Sequence, residues 1–161
     1  MTAEALLPER RVPDAMSLAA IIAKRFSRSL HKPFRAGEGT AKLDHLAIGA
    51  LGERIACAHL RGEGRKVLYR NFRAPRGGEV VIVARDGRVL SFVEVKTRTS
   101  EEFGRPLDAV DKRKQALMLR GGNEWLRLLG TREIAWRYDV VEVILVEGEK
   151  PRVHVVLDVI E

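Results

Sequence analysis

The sequence predicts a single α/β domain in which a mixed β-sheet is flanked by helices. The chain has 161 residues, 45% of them hydrophobic, which is enough for one core of ordinary size. Two apolar, β-branched runs flank the dipeptide Asp86-Gly87, the strongest short-range signal for an antiparallel hairpin. Helical spacing of apolar residues precedes and follows this hairpin, and two further apolar runs end the chain.

The predicted elements follow one another as helix, three strands, helix and two strands. The adjacent glycines Gly121 and Gly122 indicate a kink, a break or a site of close packing in the second helix. The long hairpin is expected at the centre of the sheet. In chain order the predicted ranges are 43–62, 67–69, 79–85, 88–97, 106–130, 134–146 and 153–159.

The charge balance is basic, with a formal net charge of +7 and an isoelectric point near 10.0. A polyanion such as DNA or RNA is therefore the expected partner, although a basic balance also occurs in ordinary soluble proteins. The single cysteine, Cys57, excludes an intramolecular disulfide, so a reducing cytoplasm is the expected compartment. No apolar run is long enough to span a bilayer, and the first residues do not resemble a secretory signal peptide.

Residues 1–42 differ in composition from the rest of the chain and are expected to form an extension outside a domain of residues 43–161. Ser17 could cap an amphipathic, basic helix that runs to about Leu30. Such a helix could touch a membrane surface or a nucleic acid. The interpretation that we favour is an accessory helix followed by a linker from Pro33 to Thr40.

The second hairpin strand ends in Glu94-Val95-Lys96, which places a carboxylate and an ammonium on one face of an otherwise apolar strand. Glu94 could bind a hard cation such as Mg²⁺, and Lys96 could orient a water molecule for attack on a phosphodiester. The alternative is an ion pair at the end of a strand, worth about 0–1 kcal/mol. The motif by itself favours the ion pair.

The surrounding motifs occur in the order and near-spacing of a known family. They are Gly52-Glu53, Arg70-Asn71-Phe72-Arg73, Gly78-Glu79, Phe92-Val93-Glu94-Val95-Lys96-Thr97-Arg98, Phe103-Gly104, Val110 with Lys114, and Arg137-Tyr138-Asp139-Val140-Val141. Residues 43–146 thereby resemble the YraN-like predicted endonucleases. The resemblance implies the αβββαβ core of the restriction-endonuclease-like fold with one strand added. It also implies hydrolysis of DNA phosphodiesters with Mg²⁺ or Mn²⁺, on branched or flapped substrates.

The resemblance assigns roles to particular residues. Glu94 matches the metal ligand, Lys96 the group that orients water, and Glu53 a helical acid near the metal. Lys114 matches a lysine that could reach the scissile phosphate. The family's metal-bridging Asp is replaced by Val81, which cannot ligate a metal. Two functions therefore stay open: a nuclease with a weakened site, and a module that binds nucleic acid without catalysis.

The hairpin register suggests a substitute for the missing carboxylate. If Asp86 and Gly87 are the two turn residues, Glu79 lies directly opposite Glu94. Two carboxylates so close repel unless a cation or a proton lies between them, so one should titrate above about 4.3. Glu79 is therefore predicted as a second metal ligand, with an exposed acid at the strand start as the alternative.

A run of cations before the hairpin is predicted to contact phosphates, although ordinary solvated charges could explain two or three of them. Asp139 is predicted instead as the buried structural partner of an arginine. The predicted contacts to nucleic acid are Arg65, Lys66, Arg70, Arg73 and Arg76, together with Arg98 and Lys114.

Overall fold

The computed structural model describes residues 32–37, 43–100, 110–131 and 133–160. The predicted N-terminal helix and the predicted helix start at Pro106 lie outside these residues. The predicted order of elements from residue 43 onward is confirmed. In chain order the elements are α1 (His45–Gly62), β1 (Lys66–Arg73), β2 (Glu79–Asp86), β3 (Val89–Arg98), α2 (Lys112–Leu129), β4 (Trp136–Ile144) and β5 (Arg152–Val156).

The strands form one mixed sheet of five, in the order β1-β2-β3-β4-β5. Neighbouring strands are antiparallel except for β3 and β4, which are parallel. Parallel neighbours need a crossover connection, and α2 lies in the connection between them. The arrangement confirms the predicted mixed sheet and is consistent with a restriction-endonuclease-like core.

The two helices cover opposite faces of the sheet. Side chains alternate between the two faces along each strand, so neighbouring residues of one strand pack against different helices. On β3, Phe92 packs in the core cluster that contains Met118 and Leu126 of α2. Val93 packs in the other cluster, with Ile55 and Leu60 of α1. Among the described helices, none combines the length and apolarity required to cross a membrane.

The predicted hairpin is present, but its predicted register is wrong. The two turn residues are Gly87, with a φ of 58°, and Arg88. A glycine with positive φ at the first central position is typical of a type II′ turn, whereas the prediction centred the turn one residue earlier. Every opposed pair therefore shifts by two residues, and Phe92 faces Val83 rather than Val81.

Helix α2 begins at Lys112 and runs uninterrupted to Leu129. Asp111 caps it, because its carboxylate accepts a 2.7 Å hydrogen bond from the backbone N–H of Lys114. The glycines mark close packing: a Cβ on Gly121 would lie 2.9 Å from the carbonyl carbon of Glu79. The helix backbone thus lies directly on the start of β2.

The predicted structural role of Asp139 is confirmed. This fully buried carboxylate accepts a 2.6 Å hydrogen bond from the Ser91 hydroxyl and 3.0 Å hydrogen bonds from Arg137 Nε and the Asp158 backbone N–H. Arg65 approaches within 3.4 Å. Asp139 therefore joins β3, β4 and the segment after β5.

Candidate functional site

A cavity of about 210 Å³ opens where β2 and β3 separate. The backbone pairing of these strands runs from the hairpin turn as far as Ile82 opposite Val93. Beyond that pair, Val81 and Val95 line the cavity from the two sides of the opening. We call this space the Glu94 cavity. Its polar lining residues are Glu53, Asn71, Arg73, Glu79, Glu94 and Lys114.

Glu94 supplies a buried carboxylate to this cavity, with only 4% of the residue exposed. Its Oε1 lies 3.6 Å from Lys96 Nζ and its Oε2 lies 3.2 Å from Lys114 Nζ. Lys114 thus forms an ion pair with Oε2, and no other described donor reaches this oxygen. Burial raises the pKa of Glu94, against the opposing effect of the two ammonium groups.

Lys114 is the cation that joins the two predicted metal ligands. Its ammonium donates a hydrogen bond to Glu79 and forms the ion pair with Glu94. Burial alone would lower the pKa of Lys114, but the two carboxylates outweigh that effect and raise it. The hydrogen bond from Lys114 in turn lowers the pKa of Glu79. A fixed positive charge therefore lies between the carboxylates.

The structure brings Glu79 and Glu94 together, but not for the predicted reason. Glu79 lies beyond the last pair of the β2–β3 ladder, so the two residues are not opposed in register. Lys114 joins them instead. The pKa of Glu94 is raised, as expected for one of the two carboxylates. Burial is the main cause, and repulsion by Glu79 makes the smallest contribution.

The three acids predicted as metal ligands, Glu53, Glu79 and Glu94, all line the Glu94 cavity. Among the residues that the structure describes, no three His, Cys, Asp or Glu side chains are grouped so that they could hold a metal. Glu53 lies on the rim, where its carboxylate is 3.8 Å from Arg70 Nη2. Val81 adds no ligand atom to the lining. Ligation of Mg²⁺ or Mn²⁺ by Glu94, Glu79 and Glu53 stays a prediction.

Three of the predicted phosphate contacts, Arg65, Arg98 and Lys114, have largely buried side chains that form ion pairs within the fold. The Arg65 side chain is 9% exposed and lies between Asp139 and Asp86, at 3.4 Å and 3.8 Å. Arg98 Nε lies 2.5 Å from Glu142 Oε1, and both side chains are largely buried. Carboxylates therefore surround the Arg65 guanidinium, and Arg98 is held through its Nε, whereas contact of either residue with a phosphate stays a prediction.

The remaining cations of the basic run are exposed. Lys66, Arg70 and Arg73 extend from β1, and Arg76 lies in the turn that follows it. Arg73 lines the Glu94 cavity, and Arg70 reaches Glu53 on its rim. We define these four residues as the β1 basic face.

Asn71 belongs to the Arg70-Asn71-Phe72-Arg73 motif but was not among the residues predicted for the site. It lies inside β1 with a φ of 54° and lines the Glu94 cavity. Asparagine is enriched at positive φ, which was the available signal. The residue therefore combines a local change in strand direction with a polar side chain beside the carboxylates.

Comparison of the sequence with known proteins identifies the family of this chain. Residues 52–143 match the family described as Uncharacterised protein family UPF0102. A UPF0102 protein of Trichlorobacter lovleyi is 44% identical over 109 residues, covering 67% of this chain and 85% of the relative. A UPF0102 protein of Beutenbergia cavernae is 46% identical over 108 residues, covering 67% and 91%. A third, from Geobacter sulfurreducens, is 39% identical over 114 residues, covering 71% and 88%. The chain therefore belongs to the UPF0102 family, also called the YraN family.

Proposed function

We propose that this protein binds the phosphate backbone of nucleic acids at the Glu94 cavity and the β1 basic face, without efficient hydrolysis of its own. The observation that carries this proposal is the position of Lys114. Its ammonium lies between Glu79 and Glu94, the carboxylates that a metal would otherwise bridge. Val81 lines the same cavity without supplying a ligand.

The charges around the cavity support binding of an anion at its rim. Glu94 is buried, while the side chain of Lys96 is 30% exposed and lies beside it. Arg73 is exposed on the same cavity, and Arg70 follows on the rim. Contacts of lysine and arginine with phosphates supply affinity that does not depend on base sequence and that falls with salt.

Metal-dependent hydrolysis of DNA is the second candidate, and one observation favours it. Oε2 of Glu94 is buried without a hydrogen-bond partner among the described residues. Such an oxygen suits a hard cation, since Mg²⁺ often takes one or two carboxylates and completes its shell with water and substrate phosphates. A metal bound in this way would act as a Lewis acid on the phosphodiester.

Charge reversal tests the binding proposal. We expect Arg70→Glu with Arg73→Glu to weaken binding of branched, single-stranded and duplex DNA alike and to flatten the dependence of affinity on salt. Fluorescence anisotropy across a salt series measures both. Arg88→Glu, at the exposed hairpin turn, is the matched control and should change both much less. Unchanged affinity and salt slope in the double variant would contradict the proposed interface.

Restoring the carboxylate tests which function the cavity retains. Val81→Asp adds an oxygen donor beside Glu94, so we expect it to gain cleavage of branched DNA in Mn²⁺ or Mg²⁺ over a parent protein that cuts slowly or not at all. Glu94→Gln added to Val81→Asp should remove the gain. A parent protein that already cleaves DNA efficiently, and loses this activity in Glu94→Gln, would favour the hydrolytic function instead.

A further inference from the structure

A second and larger cavity, of about 290 Å³, lies between the turn after β1 and helix α2. Three of its lining residues are arginines: Arg76 from the turn, and Arg120 and Arg127 from the helix. Glu124 is the acidic residue among its lining. We call this space the arginine cavity.

Close packing of backbone fixes the shape of this cavity. A Cβ on Gly78 would lie 2.3 Å from the backbone nitrogen of Gly121, so the turn rests directly on the helix. Within the turn, Gly77 donates a 3.0 Å hydrogen bond to the Ala74 carbonyl, and Ala74 donates one of 2.7 Å to the Gly78 carbonyl. The arginines from turn and helix are therefore held side by side on rigid backbone.

The guanidinium groups differ in how much of their charge is compensated. Arg127 makes two hydrogen bonds of 2.7 Å and 2.9 Å to Glu124, so this pair is nearly neutral. Arg120 donates from Nε to the Gly77 carbonyl at 3.2 Å, which orients the side chain without neutralising it. Arg76 is exposed in the turn, and its charge adds to the hydrogen bond from Arg127 in lowering the pKa of Glu124. The cavity thus holds three cations and one carboxylate, and Arg127 makes the close ion pair with that carboxylate.

We propose that the arginine cavity binds a second phosphate of the nucleic-acid strand that lies at the Glu94 cavity. This inference rests on the proposed function. Arg120 follows Lys114 by six residues on α2, which corresponds to about 9 Å along the helix axis. A strand of duplex DNA advances about 3.4 Å per nucleotide along its axis, so this axial offset corresponds to about three nucleotides of a duplex. Planar guanidinium groups suit phosphate, because they donate two parallel hydrogen bonds.

The test measures binding of a single-stranded DNA of about fifteen nucleotides, long enough to span both cavities, by fluorescence anisotropy across a salt series. We expect Arg76→Gln and Arg120→Gln each to weaken binding about two- to fivefold, and the double variant to reduce the salt slope by about one. Glu124→Gln should instead tighten binding, because it removes a negative charge from the cavity and frees the Arg127 guanidinium from its ion pair. Arg88→Gln removes the same charge at the distant hairpin turn and serves as the matched control.

The outcomes separate this inference from the proposed function. If Arg70→Glu with Arg73→Glu weakens binding while Arg76→Gln and Glu124→Gln leave it at the Arg88→Gln level, the arginine cavity is not a phosphate site. If none of the variants changes the affinity, the proposed function itself is wrong. Arg76 is exposed, and its described interaction is the charge that it places near Glu124, so Arg76→Gln is expected to leave the fold intact. Circular dichroism and the melting temperature check this for every variant.

Discussion

Substitution of Lys114 by methionine removes the cation that joins Glu79 and Glu94. Removal of one partner from a buried ion pair costs about 3–5 kcal/mol. We expect about 1.5–3 kcal/mol here, because Lys96 remains 3.6 Å from Glu94 and the Lys114 side chain is 18% exposed. Urea denaturation at neutral pH measures the change. Lys112→Met, at the exposed start of the same helix, should cost less than about 0.5 kcal/mol.

The pH dependence of this loss has a defined sign. Burial raises the pKa of Glu94 in the native state, and removing the Lys114 ammonium raises it further. The native variant therefore binds a proton more readily than its unfolded chain, and its penalty shrinks as the pH falls through the raised pKa. Lys114 also lowers the pKa of Glu79 in the parent protein. The stability that the parent gains from this ionised carboxylate is therefore lost as the pH falls. Both effects make the advantage of the parent protein smaller in acid.

An equal loss in the free energy of unfolding for Lys114→Met at about pH 7 and at about pH 4.5 would contradict this expectation. A second check uses a double-mutant cycle. Adding Glu94→Gln to Lys114→Met should recover part of the lost stability, because it removes a buried carboxylate that has lost a partner. Simple additivity of the two substitutions would show that the ion pair does not contribute.

Three further substitutions test the fold around the site. Asp139→Asn should destabilise the protein by about 3 kcal/mol, because it leaves buried arginines without their carboxylate; a loss below about 1 kcal/mol in urea would contradict that role. Gly121→Ala should lower the melting temperature, because the added Cβ would meet the backbone of β2. Gly49→Ala is the control: its Cβ would have nothing within 4 Å, so it should raise stability by about 0.5–1 kcal/mol. Equal shifts in melting temperature for the two variants would argue against close packing at Gly121. Val81→Asp should be destabilised without metal and regain stability with Mn²⁺; a metal-independent melting temperature would contradict ligation by Glu94.

The sequence predicted the strands of the hairpin better than their register. Apolar alternation identifies β2 and β3, because it depends on which residues are buried. The register depends on one choice, whether Asp86-Gly87 or Gly87-Arg88 forms the turn. Both choices place a glycine at a central position, and they differ by two residues in every opposed pair. The relation between Glu79 and Glu94 therefore could not be obtained from the sequence.

Ion pairs between residues far apart in the sequence determine which of the predicted cations are buried. Arg65 pairs with Asp139, 74 residues away, and Arg98 pairs with Glu142, 44 residues away. Both acids lie on β4, which becomes the neighbour of β3 only through the parallel crossover. A count of local charge cannot separate such arginines from exposed ones such as Arg70.

The most direct test of the account compares DNA binding with and without metal. Dissociation constants of the parent protein for branched and single-stranded DNA are measured in EDTA and in Mg²⁺ at matched ionic strength, and the DNA is then checked for cleavage. Because the Lys114 ammonium already lies between Glu79 and Glu94, the account predicts binding in EDTA within about twofold of that in Mg²⁺, with intact DNA. Binding that requires Mg²⁺, or rapid cleavage that Glu94→Gln abolishes, would contradict it.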